Sequence, residues 1–471
     1  MISLTPILND ALGTPLYMQL YEHIKNAILE GHILPGEKLP SLRSLSKTLN
    51  LSLSTISSAY DQLTVEGYIT SLPQSGYYVN SIPSSPILPG TRASLGESAD
   101  FHQSTNPPVQ VTPYYDPECF DFTKWKKCMN RILNYESHTL FLEGDIRGEE
   151  PLRHEISKYI YQVRGVLCSP DQIIISAGTQ QLINLLCIIL RRMEIDHVSF
   201  EDPGYQAVQS IFKDRGFKST GVPVDRDGIQ IEKLPINIRS TVYVSPSNQF
   251  PTGSVMPIGR RYSLLEWADK NESIIIEDDY NSELRYFSRP VPSLQGLDRK
   301  GRVVYLGSFS STLFPAIKIS YMVLPTAAMG RLFYEALGDY TQTCSKTEQL
   351  TLALYMAQGF YQTDLKRLRK LYGHKIQLAT QTIQQMGQGV FQVQGEVSGL
   401  HMMLTVDGCG LEDRCKEAQD LGLPVYTVPQ ALGNPPSSGS VLFYYTRIPS
   451  EKMSEAISKL VSVFQKKKAD T

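Results

Sequence analysis

A stretch rich in serine, proline and glycine divides this chain into two segments with different hydrophobic patterns. The stretch, SIPSSPILPGTRASLGES, covers residues 81–98 and has neither a helical nor a strand period. This composition is typical of a linker, because it offers few apolar side chains to bury. At 471 residues the chain also exceeds the usual length of one domain. We therefore predict a first domain over residues 1–80 and a second part over residues 99–471.

The composition is that of a globular protein without a membrane partner. Hydrophobic residues make up 41% and charged residues 20%, and the formal net charge is −2. The start, MISLTPILND, lacks the pattern of a signal peptide, and the apolar run LINLLCIIL is too short to span a bilayer. The seven cysteines form no Cys-x-x-Cys pair and no metal-like spacing with the histidines. We expect buried thiols, no metal site and a cytoplasmic location.

Residues 1–80 have the pattern of three short helices followed by a hairpin. PLYMQLYEHIKNAILEG has apolar residues at helical spacing and ends at Gly31, and Ser41 and Ser52 stand where the N-caps of two further helices are expected. In YITSLPQSGYYV, two short apolar runs flank a turn. This order is typical of a winged helix-turn-helix, whose third helix enters the major groove of DNA.

Side chains suited to DNA gather on the second and third helices. Cations would bind phosphates, and short hydroxyls would bind phosphates or base edges. The candidates are Lys38, Arg43, Lys47, Ser52, Ser54 and Thr55. Residues 1–80 hold four Lys and Arg against six Asp and Glu, so contact must depend on local clustering and helix N-termini. A winged helix that contacts only protein remains an alternative.

From about residue 100 onward, short apolar strands alternate with helices. The predicted strands are QIIIS, HVSFE, TVYVS, SIIIEDD and RVVYLGS. The alternation predicts an α/β fold with a mostly parallel central sheet, which binds ligands at the carboxyl ends of its strands. From about residue 363 to 471 the pattern indicates a smaller α+β subdomain.

The first domain resembles the GntR family of bacterial transcription regulators. The similarity lies in LPSLRSLSKTLNLSLSTISSAYDQLTVEGYI, with its Pro-Ser-x-Arg, serine-rich helix and Leu-x-x-Glu-Gly. It implies DNA contacts by Arg43, Ser52, Ser54 and Thr55, and a wing containing Gly76. Two positions depart from the pattern. Leu53 stands where many relatives have arginine, and Ser75-Gly76 replaces the usual Gly-x-Gly.

The second part resembles a class I aminotransferase, and the whole chain resembles the MocR branch of that regulator family. The resemblance implies the pyridoxal 5′-phosphate fold type I, that cofactor, and a homodimer in which residues 142–148 serve the neighbouring site. The family's cofactor-binding positions map here onto Gly178, Thr179, Gln180, Tyr205, Asn248, Asp278, Tyr280, Ser308, Ser310 and Lys318.

Each of these positions has a role that the resemblance implies. SAGTQQLINLL and the later serines would bind the phosphate, with Lys318 in place of the family's arginine. In EDPGYQAV, Tyr205 would stack on the ring, and Asn248 in SPSNQFPTG would bond its phenolic oxygen. In IIIEDDYNSE, Asp278 would pair with the pyridine nitrogen, and Tyr280 would bond the phenolic oxygen. The plainer alternatives are an ordinary strand–helix turn at SAGTQQLINLL, a core tyrosine at Tyr205 and a solvated acidic loop after IIIE.

The chain departs from the family at the catalytic lysine. The family motif Ser-x-Ser-Lys presents the lysine that forms the imine with the cofactor, whereas this chain has Ser308, Phe309, Ser310 and Ser311. A serine cannot form that imine or shuttle the proton that transamination requires. The sequence therefore predicts that pyridoxal phosphate is bound noncovalently or not at all, and that transaminase activity is missing.

Two further positions concern an effector. In YYTRIP, Arg447 is predicted on a strand edge, where the family binds a substrate carboxylate; a surface ion pair is the alternative. Ala207 replaces a second carboxylate-binding arginine of some relatives.

The sequence favours a regulator that binds a double-stranded DNA operator and senses a small molecule. That molecule is pyridoxal phosphate, an amino-acid adduct of it, or another metabolite. Three alternatives stay open: an active aminotransferase with a DNA-binding appendage, a ligand-independent regulator that uses its second part for dimerisation, and a cofactor-binding regulator in which Ser311 is not the native residue.

Overall fold

The first of two structural units has the order of elements predicted for residues 1–80. Its elements are α1 (Leu16–Leu29), α2 (Leu42–Leu49), α3 (Leu53–Val65), β1 (Ile69–Leu72) and β2 (Gly76–Val79). Both predicted N-caps are confirmed, because the Oγ of Ser41 accepts a bond from the Ser44 N–H at 3.2 Å and that of Ser52 accepts one from the Thr55 N–H at 3.1 Å. The two strands pair antiparallel, as predicted for the hairpin.

The structure, a computed structural model, describes residues 13–82, 116–286, 291–394, 399–406, 410–428 and 439–465. The chain divides into the units Met1–Pro108 and Val109–Thr471. Most of the predicted linker, residues 83–98, lies outside the described residues.

The apolar face of α3 holds the first unit together. Ile56, Ala59, Tyr60 and Leu63 are fully buried in one cluster with side chains of α1. The Tyr60 hydroxyl also donates to the carbonyl of Pro40 at 3.0 Å, which fixes the segment before α2. Burying an apolar side chain such as that of Ile56 or Leu63 stabilises a fold by about 1.5–3 kcal/mol. The polar face of α3 is left free for other contacts.

The second unit contains the strand–helix alternation that the sequence predicts. Its helices are α4 (Phe122–Tyr135), α5 (Glu150–Arg164), α6 (Thr179–Arg192), α7 (Gln206–Asp214), α8 (Ile258–Lys270), α9 (Leu294–Leu297), α10 (Ala327–Leu337), α11 (Lys346–Ala357), α12 (Phe360–Met386), α13 (Leu411–Asp420) and α14 (Met453–Gln465). Its strands are β3 (Ile173–Ala177), β4 (His197–Asp202), β5 (Lys218–Asp225), β6 (Gly228–Ile229), β7 (Thr241–Val244), β8 (Ile274–Asp278), β9 (Val303–Ser308), β10 (Ile319–Val323), β11 (Phe391–Gln394), β12 (Met402–Val406), β13 (Val425–Thr427) and β14 (Ser440–Phe443).

The large sheet is mostly parallel, as predicted. Its strand order is β3-β10-β9-β8-β7-β4-β5-β6. The five strands β9, β8, β7, β4 and β5 are parallel, whereas β10 is antiparallel to both its neighbours and β6 to β5. The segment that forms β10 was not predicted as a strand. It brings Ser320 opposite Ser308, and Ile319 opposite Ala177, at the edge where β3 and β9 end.

A four-stranded antiparallel sheet of order β11-β12-β14-β13 forms the smaller subdomain. Helix α12 belongs to both parts, because Leu365 and Leu368 pack in the core of the large sheet and Ile376 and Ile383 in that of the small sheet. Within the described residues, no helix has the length and apolar character needed to cross a membrane.

Candidate cofactor and effector site

Hydroxyl groups and a helix N-terminus gather where β3 and β9 end. Gly178 is the N-cap of α6 and has a φ of 89°, and open space lies where a Cβ would stand. The Oγ of Ser320 donates to that of Ser308 at 2.9 Å and lies 3.5 Å from Oγ1 of Thr179, while the Ser310 N–H donates to Ser308 at 3.3 Å. Hydroxyls and helix N-terminal N–H groups are the donors that phosphate prefers. Ser320 was not among the predicted residues, because its strand was not predicted.

A lysine lies at the same edge. Lys318 is exposed and has a left-handed backbone with a φ of 48°. It directly precedes Ile319, which pairs with Ala177, and Ala177 directly precedes Gly178. This position suits a cation that balances an anion at the start of α6.

Two of the three consecutive acids at the end of β8 have structural partners. Glu277 accepts hydrogen bonds from the N–H groups of Leu294 and Gln295, the first two residues of α9, at 2.8 and 2.9 Å. Asp279 forms two bonds of 2.8 Å with the guanidinium of Arg164. Both carboxylates are buried, and these contacts offset the cost of removing them from water.

The middle acid, Asp278, is the one left for a ligand. It accepts a hydrogen bond from the hydroxyl of Tyr243 on the neighbouring strand β7. Burial, and to a lesser degree the charge of Asp279, raises the pKa of Asp278 to about 6, although the Tyr243 bond lowers it. Asp278 is therefore ionised at neutral pH. A partly buried carboxylate at a strand end is the group that a protonated ring nitrogen would require.

A further buried acid, Glu201, was not predicted. It lies on β4 and accepts a hydrogen bond from the Ser245 N–H at 3.2 Å. Burial raises the pKa of Glu201 to about 8, and the charge of Asp278 adds to this shift. Glu201 is thus mostly protonated at neutral pH and leaves Asp278 as the charged acid of the pair.

Aromatic rings form a continuous row along the site. Tyr205, which is 40% exposed at the start of α7, has its ring centroid 6.3 Å from that of Phe250, and Phe250 lies 6.4 Å from Tyr280. Phe250 also lies 5.6 Å from His401, which lies 5.2 Å from Tyr444. The structure therefore brings the predicted Tyr205 and Tyr280 together through Phe250. The Gln180 side chain, hydrogen-bonded to the Tyr205 hydroxyl, joins this row to the phosphate edge.

Arg447 ends the row, but the predicted strand position of this residue is wrong. Strand β14 ends at Phe443, and Arg447 lies in a 3₁₀ turn, Tyr445–Arg447, that follows it. Its guanidinium stacks 4.8 Å from the ring centroid of Tyr444 and donates to the hydroxyl of Tyr426 at 3.2 Å. Among the described residues, no acid lies within ion-pair distance of Arg447. The contacts with Tyr444 and Tyr426 therefore position an exposed guanidinium that no acid of the described residues neutralises.

The predicted Asn248 is buried in the loop that follows β7. A Cβ at Gly399, where φ is 77°, would lie 2.9 Å from the amide nitrogen of Asn248, so this backbone passes close to the amide. Ala207 lies half-buried on α7, one residue beyond its start.

Ser311 lies in a loop whose neighbours are anchored in the core. The buried ring of Phe309 packs 5.5 Å from that of Tyr361, and Oγ1 of Thr312 lies 3.0 Å from the Tyr361 hydroxyl. Ser311 itself is half-buried. The loop is fixed by residues on both sides of the position where the family has its lysine.

In the first unit, the predicted DNA contacts lie on exposed surfaces. Arg43 and Lys47 are exposed on α2, and neither has an acidic partner in the described part of the chain. The hydroxyl of Ser52 lies 2.8 Å from that of Ser54 and 2.7 Å from that of Thr55 at the start of α3.

The predicted wing residue is beside a predicted cation. A Cβ at Gly76, where φ is 112°, would lie 3.1 Å from Cε of Lys38, whose Nζ is 5.7 Å from the ring centroid of Tyr78. Lys38 therefore packs against the hairpin that forms the wing, and its backbone forms an isolated bridge with Tyr78.

These features define a class: a winged helix-turn-helix unit joined to a unit with the aminotransferase fold. Residues 16–79 match the family described as bacterial regulatory proteins of the gntR family, and residues 113–416 match aminotransferase class I and II. The chain belongs to the GntR family of transcription regulators, in the MocR-type branch that carries an aminotransferase domain.

Similar proteins support this assignment. The chain is 37% identical to the HTH-type transcriptional regulator YdeL of Bacillus subtilis, over 98% of this chain and 100% of that protein. It is 30% identical to the probable rhizopine catabolism regulatory protein MocR of Rhizobium meliloti, over 97% and 95%. It is 32% identical to the pyridoxine biosynthesis regulator PdxR of Corynebacterium glutamicum, over 85% of each.

A solved structure confirms the fold of the second unit. Kynurenine aminotransferase of Pyrococcus horikoshii matches with a TM-score of 0.65 and 24% identity, over 75% of this chain and 89% of that one. The family matches and the related regulators confirm the prediction of a DNA-binding regulator with an aminotransferase-like domain.

Proposed function

We propose that the aminotransferase-like unit of this regulator senses pyridoxal phosphate, or an amino-acid adduct of it, without covalent attachment and without transaminase activity. The regulator acts in the cytoplasm as a homodimer. Ser311 carries the proposal. The other positions of the cofactor site have side chains that suit the cofactor, whereas position 311 lacks the lysine amine that covalent attachment requires.

The residues of the site suit the parts of this cofactor. A phosphate would be held by the start of α6 and by four hydroxyls, those of Thr179, Ser308, Ser310 and Ser320. Asp278 would hold a protonated ring nitrogen. When bound, pyridoxal phosphate supplies an aldehyde and an electron-withdrawing ring.

The ring row and Arg447 support a site for a carboxylate-bearing effector. Arg447 is exposed and is positioned by Tyr444 and Tyr426. A carboxylate there would gain a charge-assisted bond from a guanidinium that has no acidic partner among the described residues. A ligand that binds one arrangement of the dimer more tightly than another would shift operator binding by linkage.

Exposed apolar residues support the homodimer. Phe141 is 91% exposed and Leu142 is 66% exposed, at the start of residues 142–148, the segment that serves the neighbouring site in the family. Neighbouring apolar side chains that stay in water often mark an interface. Sedimentation of the full chain as a monomer at micromolar concentration would exclude this part of the proposal.

The test compares the full chain with Ser311→Lys and Ser311→Ala variants. We expect all three to bind pyridoxal phosphate reversibly in a fluorescence titration. Only Ser311→Lys should gain a visible absorbance band and a cofactor mass that persists after borohydride reduction. Failure of the unchanged protein to bind the cofactor would refute the proposed ligand, and a visible band with Ser311→Ala would refute the role of residue 311.

A further inference from the structure

Helix α4 carries only positive charge. Its sequence, FTKWKKCMNRILNY, contains four Lys and Arg residues and no Asp or Glu. Lys124 pairs with Asp364 at 3.0 Å. Lys126, Lys127 and Arg131 are exposed, and none has an acidic side chain within ion-pair distance in the described part of the chain. We call these three residues the α4 surface.

Helix α12 extends this charge. The Lys124–Asp364 pair and a 3.3 Å bond from Arg367 to the carbonyl of Cys119 hold α12 beside the start of α4. Exposed cations on α12 are Lys366 and Lys370, whereas exposed acids beside the start of α4 are Glu118 and Asp121. Positive charge therefore exceeds negative charge here, although the whole chain carries a net charge of −2.

A cluster of positive charges without acidic neighbours creates a positive potential that attracts anionic partners. The polar groups beside them suit phosphate, because Asn130, Asn134 and Tyr135 line the same groove as the α4 surface. DNA is already the partner of this family. The predicted DNA-binding domain, residues 1–80, has fewer Lys and Arg than Asp and Glu, four against six. It therefore has few cations for phosphate contacts.

We propose that the α4 surface is a second DNA-contact site, which binds backbone phosphates outside the bases that the winged helix contacts. Contacts of this kind carry no sequence information but add affinity that depends on salt. The inference goes beyond effector sensing and stands whether or not pyridoxal phosphate is bound.

The experiment uses the full chain and DNA selected from a random library by that chain. The selected duplex is trimmed to the base pairs that the selection enriches, or kept with about 30 base pairs on each side, and binding is measured over a salt series. The test variant is Lys126→Gln/Lys127→Gln/Arg131→Gln. The control, Lys213→Gln/Arg299→Gln/Lys300→Gln, removes the same charge from exposed residues elsewhere in the second unit.

We expect the test variant to bind the long duplex about 10- to 100-fold more weakly at about 0.15 M salt, and its salt slope to fall by about 2 to 3. The test variant should bind the trimmed duplex as tightly as the unchanged protein does. The control variant should bind both duplexes as tightly as the unchanged protein does. Thermal melting verifies that each variant is folded. Equal binding of the long duplex by the test and control variants would overturn the proposal. So would a change in self-association alone, which would assign the surface to a protein partner.

Discussion

The hydroxyl of Tyr243 donates a hydrogen bond to the carboxylate of Asp278 across the parallel strands β7 and β8. This bond lowers the pKa of a carboxyl that burial raises to about 6. The balance of these two effects keeps Asp278 charged at neutral pH, which is the state that a protonated ring nitrogen would bind.

Removing that bond should make cofactor binding more sensitive to acid. In Tyr243→Phe, the Asp278 carboxylate loses a donor, so its pKa rises and more of it is neutral near pH 6.5. We expect cofactor affinity at that pH to fall about 3- to 10-fold, and the pH at which binding is half lost to rise. Titrations from pH 5 to 8 measure both, with the exposed Tyr262→Phe as control. An unshifted pH profile would show that Asp278 does not bind the ring.

Glu201 should make stability depend on pH. Its folded pKa of about 8 lies above the unfolded value, so the folded state holds a proton that the unfolded state loses. Stability therefore falls as pH rises from about 4.5 to 8. The Glu201→Gln variant has no carboxyl to titrate, so it does not lose stability in this way. Its free energy of unfolding minus that of the unchanged protein should therefore grow by about 1 kcal/mol per pH unit in that window. Denaturant unfolding at pH 5.5 and 7.5 measures the difference. A constant difference would contradict the protonated state.

A buried ion pair ties the beginning of the second unit to the small subdomain. Nζ of Lys375 lies 2.5 Å from a carboxylate oxygen of Asp116 and donates to the carbonyl of Thr446 at 2.8 Å, and Lys375 is fully buried. Lys375→Met leaves the Asp116 charge buried without its cation, which should cost about 3–5 kcal/mol.

The matched control for that prediction is Lys270→Met, which breaks an exposed pair with Glu266. It should cost less than about 1 kcal/mol. Urea unfolding of both variants measures the contrast. Equal losses would show that burial does not set the strength of the Lys375 pair.

Arg43 should contribute to DNA binding through its charge. It is exposed on α2 and has no acidic partner in the described residues. Arg43→Ala should weaken binding to the selected duplex by about 1–3 kcal/mol and lower the salt slope by about 1. Arg299→Ala serves as the control of equal charge. Unchanged affinity over the salt series would place the DNA contact elsewhere.

Features set by local sequence were predictable. The N-caps Ser41 and Ser52 and the apolar strand that ends at Asp278 depend on neighbouring residues, and the structure confirms them. Strand β10 was missed because its residues belong to a loop motif, and its antiparallel pairing with two distant strands is a tertiary effect.

The ring row could not be predicted for a similar reason. Phe250, His401 and Tyr444 meet from segments that are far apart in sequence. The prediction that Arg447 lies on a strand was wrong, because an apolar run predicts a strand but does not fix the residue at which the strand ends.

The mass of the unchanged protein after incubation with pyridoxal phosphate and borohydride tests the central claim most directly. The account predicts no stoichiometric adduct on any lysine, while Ser311→Lys gains one cofactor mass at residue 311. A stoichiometric adduct on a single lysine of the unchanged protein would contradict it.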